Sequence, residues 1–235
     1  STQSDSPIGS IDLNIPKART DAISELRLNE HEGFLYVLVP ERGKFVIVNI
    51  KNKNQTFVKD IEGFASFKKG GPGLLHLCVA EQKVYVFLRE ERLLNIYDVT
   101  GQTLLKQIDI SHYEFSFLKN YFHDTLFSDT NNDRVYIGPL IFDTKTDTYL
   151  GRLPYGDKVI GITQDALYAV SVSFREQEEY AVELHPTSYA LQRVMSIGKI
   201  QDMTDIRSIC LIDETKNKFY VGRFQQGVVD VFELR

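Results

Sequence analysis

Apolar, β-branched and aromatic residues come in short runs along this chain, broken by polar clusters rich in Asp, Asn, Glu and Gly. Lys83–Ile110, KVYVFLREERLLNIYDVTGQTLLKQIDI, shows the pattern most clearly. Val84, Val86 and Leu88 alternate with Tyr85 and Phe87, so both faces of the run are apolar, which predicts a strand held between two other layers. Arg89-Glu90-Glu91-Arg92 cannot be buried unpaired and reads as a surface loop. Leu93–Val99 is the next strand. It runs into Asp98-Val99-Thr100-Gly101, where glycine can take the positive φ of a tight turn. Thr103–Ile110 closes the unit.

The same phrase recurs. An aromatic-bearing strand appears as FLYVLV, KVYVFL, RVYIGP, ALYAVS and KFYVGR, each with tyrosine third, at Tyr36, Tyr85, Tyr136, Tyr168 and Tyr220. These positions are 49, 51, 32 and 52 residues apart, close to the roughly 40–50 residues of a propeller blade. The short interval follows from compressed connections, since the third unit joins its middle strands by Gly138-Pro139 alone. A partner strand follows each time (FVIVNI, LLNIYDV, LIFDT, EYAVEL, VVDVFEL). An outer strand then follows four times (TFVKDI, TLLKQIDI, TYLGRLP, ALQRVMSI). A further strand precedes each tyrosine strand (SELRLN, LHLCVA, TLFSDT, KVIGIT, SICLID).

Four antiparallel strands repeated radially make an all-β fold, a five-bladed β-propeller. The fifth unit stops at its third strand, Val228–Leu234. Ser10–Pro16 (SIDLNIP) resembles QIDI of the second unit and stands before the first. The expectation is that this N-terminal strand closes the last blade and removes an open sheet edge. Residues 1–9 read as a flexible leading segment and 10–235 as one domain, a size that suits a single core.

Composition supports a folded chain. Hydrophobic residues make up 43% and aromatics 11%, with 15 Phe, 12 Tyr and no Trp, so the WD dipeptide is absent. A net charge of −5 argues against a general grip on nucleic acid. No apolar run is long enough to span a membrane. Cys78 and Cys210 each sit in an apolar first strand and are expected as buried free thiols, not a disulfide framework. Ser1–Ser10 is small and polar: a tether, the start of a chain processed after a signal peptide or lipidated cysteine, or a cut at a domain boundary. Asn54-Gln55-Thr56 matches a glycosylation acceptor but reads as a polar turn.

Motifs for chemistry are sparse. Gly70-Gly71-Pro72-Gly73 follows Lys68-Lys69, yet the P-loop spacing is missing and no helix follows, so this is a crossing between blades. Asp129…Asp133 has the opening spacing of a calcium loop, but Arg134 and Leu140 stand where Gly and Glu belong; it reads as a turn. The five histidines form no zinc motif and no nucleophile elbow exists. No cofactor or metal is implied.

The units resemble bacterial propeller repeats. LIFDTKTDTYLGRLP is similar to the YVTN-type surface-layer repeat, and KKGGPG…KVYVFLREERLLNIYDVTGQTLLKQIDI resembles the NHL-like propellers. The resemblance implies the fold and little about activity. With the polar lead it implies a bacterial periplasmic or cell-surface setting ahead of a cytoplasmic one.

Two readings follow. The first is a monomeric, non-catalytic module whose loops on one propeller face recognise a protein, peptide or glycan. Its candidate contacts are Arg42, Arg89, Arg92, Tyr113, Phe115, Phe174 and Arg175. Tyr113 and Phe115 lie in the aromatic insertion Ser111–Asp124, which alternatively plugs the gap beside the short third blade. The second reading is a glycosidase- or lactonase-like hydrolase with carboxylates at the channel mouth, drawn from Asp124, Asp129, Asp157, Asp205 and Asp213. The first inner strands LHLCVA and KVIGIT supply almost no acids, which weighs against it.

Overall fold

The computed structural model describes residues 25–39, 43–52, 56–64, 75–80, 82–89, 91–113, 126–173, 175–199, 209–213, 218–223 and 228–233. Among them are nineteen strands and no helix, and so no helix long and apolar enough to cross a membrane.

Each predicted run within the described residues forms a strand, and the strands pair in chain order into five antiparallel meanders. Sheet one holds β1 (Glu25–Asn29), β2 (Phe34–Val39), β3 (Lys44–Asn49) and β4 (Thr56–Asp60). Sheet two holds β5 (Leu75–Ala80), β6 (Lys83–Leu88), β7 (Leu93–Asp98) and β8 (Leu104–Asp109). Sheet three holds β9 (Leu126–Asp129), β10 (Arg134–Ile137), β11 (Leu140–Asp143) and β12 (Thr148–Arg152). Sheet four holds β13 (Lys158–Ile162), β14 (Leu167–Ser173), β15 (Glu178–Leu184) and β16 (Leu191–Lys199). Sheet five holds β17 (Ile209–Asp213), β18 (Lys218–Arg223) and β19 (Val228–Glu233). The short interval between the third and fourth tyrosines has its cause in sheet three, whose first three strands have four residues each. Ser10–Pro16, expected to complete sheet five, lies outside the described residues, as do Asn54-Gln55 and the glycine-rich crossing.

The strands fall into two compact units, one with sheet one and nearly all of sheet two, the other with sheets three to five. In the first, the tyrosine face of sheet one (Tyr36, Leu38, Phe45, Ile47) packs on Leu77, Val84, Val86, Leu88 and Tyr97 of sheet two. Phe45 and Tyr97 meet as tilted rings 5.0 Å apart. In the second, Tyr136 and Ile141 pack on Val159, Leu167, Ala169, Val182 and Leu184 of sheet four. Tyr168, Val170 and Ala181 then pack on Phe219, Ile212 and Phe232 of sheet five. First strand β13 lies beside first strands β9 and β17. Val84 to Leu88 are at most 1% exposed, as a run apolar on both faces requires; each such side chain contributes on the order of 1.5–3 kcal/mol by burial. Cys78 is buried and outside any disulfide; the side chain of Cys210 lies outside the described residues.

A phenol buried this deeply needs a partner for its hydroxyl. Tyr36 donates to the Val99 carbonyl, in the β7–β8 turn of the next sheet. The Tyr136 hydroxyl sits 3.4 Å from that of Tyr189, in the β15–β16 turn of the next sheet. Burial raises the pKa of both phenols. Tyr36 and Tyr136 are therefore bolts from one sheet to the following hairpin.

The turns have a common chemistry, an Asx side chain capping backbone N–H groups just ahead of it. Asp98 accepts from Gln102 N and Thr103 N at 3.0 and 3.1 Å. Asp143 accepts from Lys145 N and Thr146 N at 3.0 and 2.8 Å. Asn49 accepts from Lys51 N and Asn52 N, both at 3.0 Å. Asp129 does the same for Asn131 N and Asn132 N at 3.1 and 3.2 Å, which settles Asp129…Asp133 as a turn. Gly101 has φ +69°, and a Cβ there would stand 2.5 Å from Ile47 Cδ1. The turn needs glycine for its backbone and for its approach to sheet one.

Candidate functional site

In sheets one and three the turn between the second and third strands emerges beside the chain leaving the fourth strand. Ile61 N donates to Gly43 O at 2.8 Å in sheet one, and Leu153 N donates to Pro139 O at 2.9 Å in sheet three. Those paired segments are the candidate site of each unit.

In the first unit, the β6–β7 turn carries Arg89 and Arg92, both half-buried, closed by Arg92 N donating to Arg89 O at 3.3 Å. Arg92 has φ +54°, a left-handed conformation that the corresponding turn of sheet one gives to Gly43 at φ +57°. Next to Arg92, Leu93 packs against Gly63, which brings the exit of sheet one to this tip. The exit is fixed by a buried polar network. Tyr97 donates to Glu62 Oε2 at 2.5 Å. The Asn95 amide donates to Glu62 O at 2.8 Å and contacts the Tyr97 hydroxyl at 3.2 Å. Gln107 donates to Asn95 Oδ1 at 2.8 Å, and Lys59 pairs with Glu62 Oε1 at 2.8 Å. Burial pushes the Glu62 carboxyl up, but Lys59 and Tyr97 outweigh it and leave its pKa below the ordinary value. Burial with the Glu62 contact raises the Tyr97 phenol.

In the second unit, the β14–β15 turn carries Arg175, exposed, with no ion-pair or hydrogen-bond partner among the described residues. Its acidic neighbours are turned aside: Tyr180 reaches Glu176 Oε2 at 2.7 Å and also Glu178 Oε2, and Ser196 donates to Glu178 Oε1 at 3.0 Å. These contacts lower the Glu178 pKa, and the two glutamates raise that of Tyr180. Beside the same end of β14, the exit of sheet three runs Leu153-Pro154-Tyr155-Gly156-Asp157. Asp157 N donates to Val170 O at 2.7 Å, and Val172 N donates to Asp157 Oδ2 at 3.4 Å. Arg152 Nη2 lies 3.7 Å from Asp157 Oδ1. Burial raises the Asp157 pKa against the opposing pull of Val172 N–H and Arg152. Tyr155 is 49% exposed.

Of the residues read from the sequence as contacts, Arg89, Arg92, Tyr113 and Arg175 are described. Arg42, Phe115 and Phe174 lie outside the described residues. Tyr113 is half-buried, stacked on Tyr149 with centroids 4.0 Å apart and edge-on to Phe142 at 6.1 Å, so it packs against sheet three. Of the five acids considered for a channel, Asp124 and Asp205 lie outside the described residues. Asp129 caps a turn, Asp157 is held as above, and Asp213 is engaged in an interaction of its own. No group of three or more His, Cys, Asp or Glu among the described residues is arranged to hold a metal ion. Arg152 and Tyr155 were not singled out by sequence; the signal was the Pro154-Tyr155-Gly156 turn, which puts an aromatic where neither a strand nor a core needs one.

No family model and no curated protein matches the chain. Solved structures do, and at low identity they show the fold. Hydrazine synthase of Kuenenia stuttgartiensis aligns with a TM-score of 0.59 at 10% identity, over 91% of this chain and 58% of that one. The Dos1 propeller aligns with a TM-score of 0.57 at 12% identity, over 91% and 56%. Streptogramin B lyase aligns with a TM-score of 0.50 at 9% identity, over 95% and 72%. The chain thus spans under two thirds of the length of the first two. The fold is a β-propeller, and the described residues form five sheets, one for each repeated tyrosine, as the repeat predicts.

Proposed function

We propose that this propeller is a non-catalytic binding module, whose loops on one face recognise a protein, peptide or glycan. The observation that carries the reading is Arg175: an exposed cation at the tip of a blade turn, its neighbouring glutamates drawn onto Tyr180 and Ser196. Arg is enriched where binding energy concentrates, and a rigid sheet beneath a charged tip limits the entropy lost on binding. Arg92 supports the reading from the first unit, because a left-handed position served by glycine in blade one is given to a long cation in blade two.

The hydrolase alternative asks for convergent carboxylates free to exchange protons with a substrate. Asp129 spends its oxygens on backbone N–H groups, and Asp157 on Val172 N–H and Arg152. These are structural duties.

The test is a screen of the whole chain on immobilised peptide and glycan arrays, repeated with Arg175→Ala and with Arg89→Ala/Arg92→Ala. At least one variant is expected to lose about tenfold or more in affinity with an unchanged melting temperature. Binding indifferent to both variants overturns the choice of face. Turnover of a lactone or glycoside that Asp157→Asn abolishes overturns the non-catalytic reading.

A further inference from the structure

The β15–β16 turn of blade four is capped by a histidine where blades one to three use Asn or Asp. Asn49, Asp98, Asp143 and His185 each stand two residues past the strand partner of the repeated tyrosine, which is Ile47, Ile96, Ile141 and Glu183 in turn. In blades one and three that side chain accepts from the N–H groups two and three residues ahead. His185 does the same with its ring. Thr187 N and Ser188 N donate to Nδ1 at 3.4 and 3.3 Å, and the Thr187 hydroxyl stands 3.2 Å from that atom. The likeness has a covalent reason. Nδ1 is two bonds from Cβ, as the Oδ1 of Asn or Asp is, so a ring nitrogen with a free lone pair reaches the same donors.

This cap governs more than its own loop. Tyr189 N donates to His185 O, and His185 N to Ala190 O, both at 2.9 Å. Tyr189 holds φ +55°, a left-handed conformation that a bulky side chain resists, so the turn depends on its hydrogen bonds. The Tyr189 hydroxyl is 3.4 Å from that of Tyr136 in blade three, and its ring packs on the core shared by blades three and four. His185 itself is exposed, so solvent protons reach it. An imidazole gains a proton between about pH 5 and 8, and its Nδ1 then becomes a donor that faces other donors. An Asn or Asp cap keeps its acceptor through that range. Charged groups around the turn are few. Asp165 lies in the exposed β13–β14 turn at the same end of the blade, and Glu183 faces Arg193 at 3.9 Å. From blade three, Asp129 and Arg134 act on Tyr136 in opposite directions. Among the described residues none forms an ion pair with the His185 ring, so no carboxylate there compensates for a lost cap.

We propose that His185 is a pH-sensitive cap. Neutral, it holds the β15–β16 turn and, through Tyr189, the contact between blades three and four; protonated in mild acid, it releases the turn. The device works whatever the propeller binds.

The experiment follows the whole isotope-labelled chain by NMR from about pH 8 to about pH 5, at constant ionic strength. At the upper end the His185 ring should be the Nε2–H tautomer, with Nδ1 unprotonated. The Thr187 and Ser188 amide signals should move with the titration of the ring. Hydrogen exchange at Tyr189 N, corrected for its intrinsic rate, should quicken about fivefold or more in acid. His185→Asn supplies an acceptor that does not titrate. Its Thr187 and Ser188 signals should stay in place across the range, and its urea midpoint should gain on wild type as pH falls. A ring that carries its proton on Nδ1 at the upper end overturns the inference, as do amide signals that ignore the titration of the ring. So does a His185→Asn protein whose turn responds to acid as wild type does. The first two readouts need no variant, so they decide the matter even if His185→Asn fails to fold.

Discussion

The junction between blades one and two and the junction between blades three and four are built on the same plan and finished differently. In both, a third-position tyrosine crosses to the next hairpin and an apolar residue leaves the fourth strand beneath the blade turn. In the first, Glu62 turns inward and meets Asn95 and Tyr97. In the second, Pro154 stands where Glu62 does, and Val182 and Leu184 occupy the register positions of Asn95 and Tyr97. An apolar wall asks nothing of the loop above it, so Tyr155 is left in water. The first junction uses its polar groups to lock two blades; the second is apolar at the same register and leaves Tyr155 exposed.

The largest effect expected from breaking this contrast is at Asn95, which is fully buried and bonded to Glu62, Tyr97 and Gln107. Asn95→Leu strands those partners and should cost about 3 kcal/mol. The reverse change, Val182→Asn, buries an amide with no partners prepared for it and should cost about as much. Denaturant titration of both variants checks the pair. If Asn95→Leu is neutral, the network is not a lock.

How much of this could be read in advance depends on what each residue answers to. The strands were legible because burial on both faces writes a continuous apolar run, as in Val84–Leu88. The turns were legible because Asp98 and Gly101 have few other uses in sequence. The inter-blade bolt was half legible: the tyrosine recurs, but its acceptor is a backbone carbonyl in one case and a second phenol in the other, and neither leaves a mark. Tyr113 read either as a contact or as part of a plug beside the third blade, and it stacks on Tyr149 and meets Phe142 edge-on; the choice was open because an aromatic side chain carries no sign of which sheet it will meet. Tyr155 was overlooked for the converse reason. One exposed ring interrupts no pattern.

A middle-sized effect separates the two bolts. Tyr36→Phe leaves the Val99 carbonyl without its donor and should cost about 1–2 kcal/mol. Tyr136→Phe removes one hydroxyl from a 3.4 Å pair and should cost under about 1 kcal/mol, since Tyr189 is only half-buried and water can replace the lost partner. Equal losses in the two melting curves would mean that the bolts are equivalent and the contrast between junctions is confined to Asn95.

The smallest effect is the most discriminating, because the two junctions should respond to acid with opposite sign. The folded pKa of Glu62 lies below its ordinary value of 4.5, so its contribution is present above that pH and is lost as pH falls through the folded value. Glu62→Gln should therefore be less stable than wild type at pH 7, with the gap closing in acid. Its carboxylate is 37% exposed, so solvent holds the difference under about 1 kcal/mol. The folded pKa of Asp157 lies above its ordinary value of 3.8, chiefly through burial. Folding then takes up a proton as pH falls through the raised value, and the buried charge is a cost at pH 7. Asp157→Asn should be at least as stable as wild type at pH 7, and its advantage should shrink in acid. Urea midpoints for the three proteins from pH 7 to pH 3, at constant ionic strength, give the two signs directly. A loss of stability at pH 7 in both variants would place Asp157 in a lock like that of Glu62, and the contrast between the two junctions would fall.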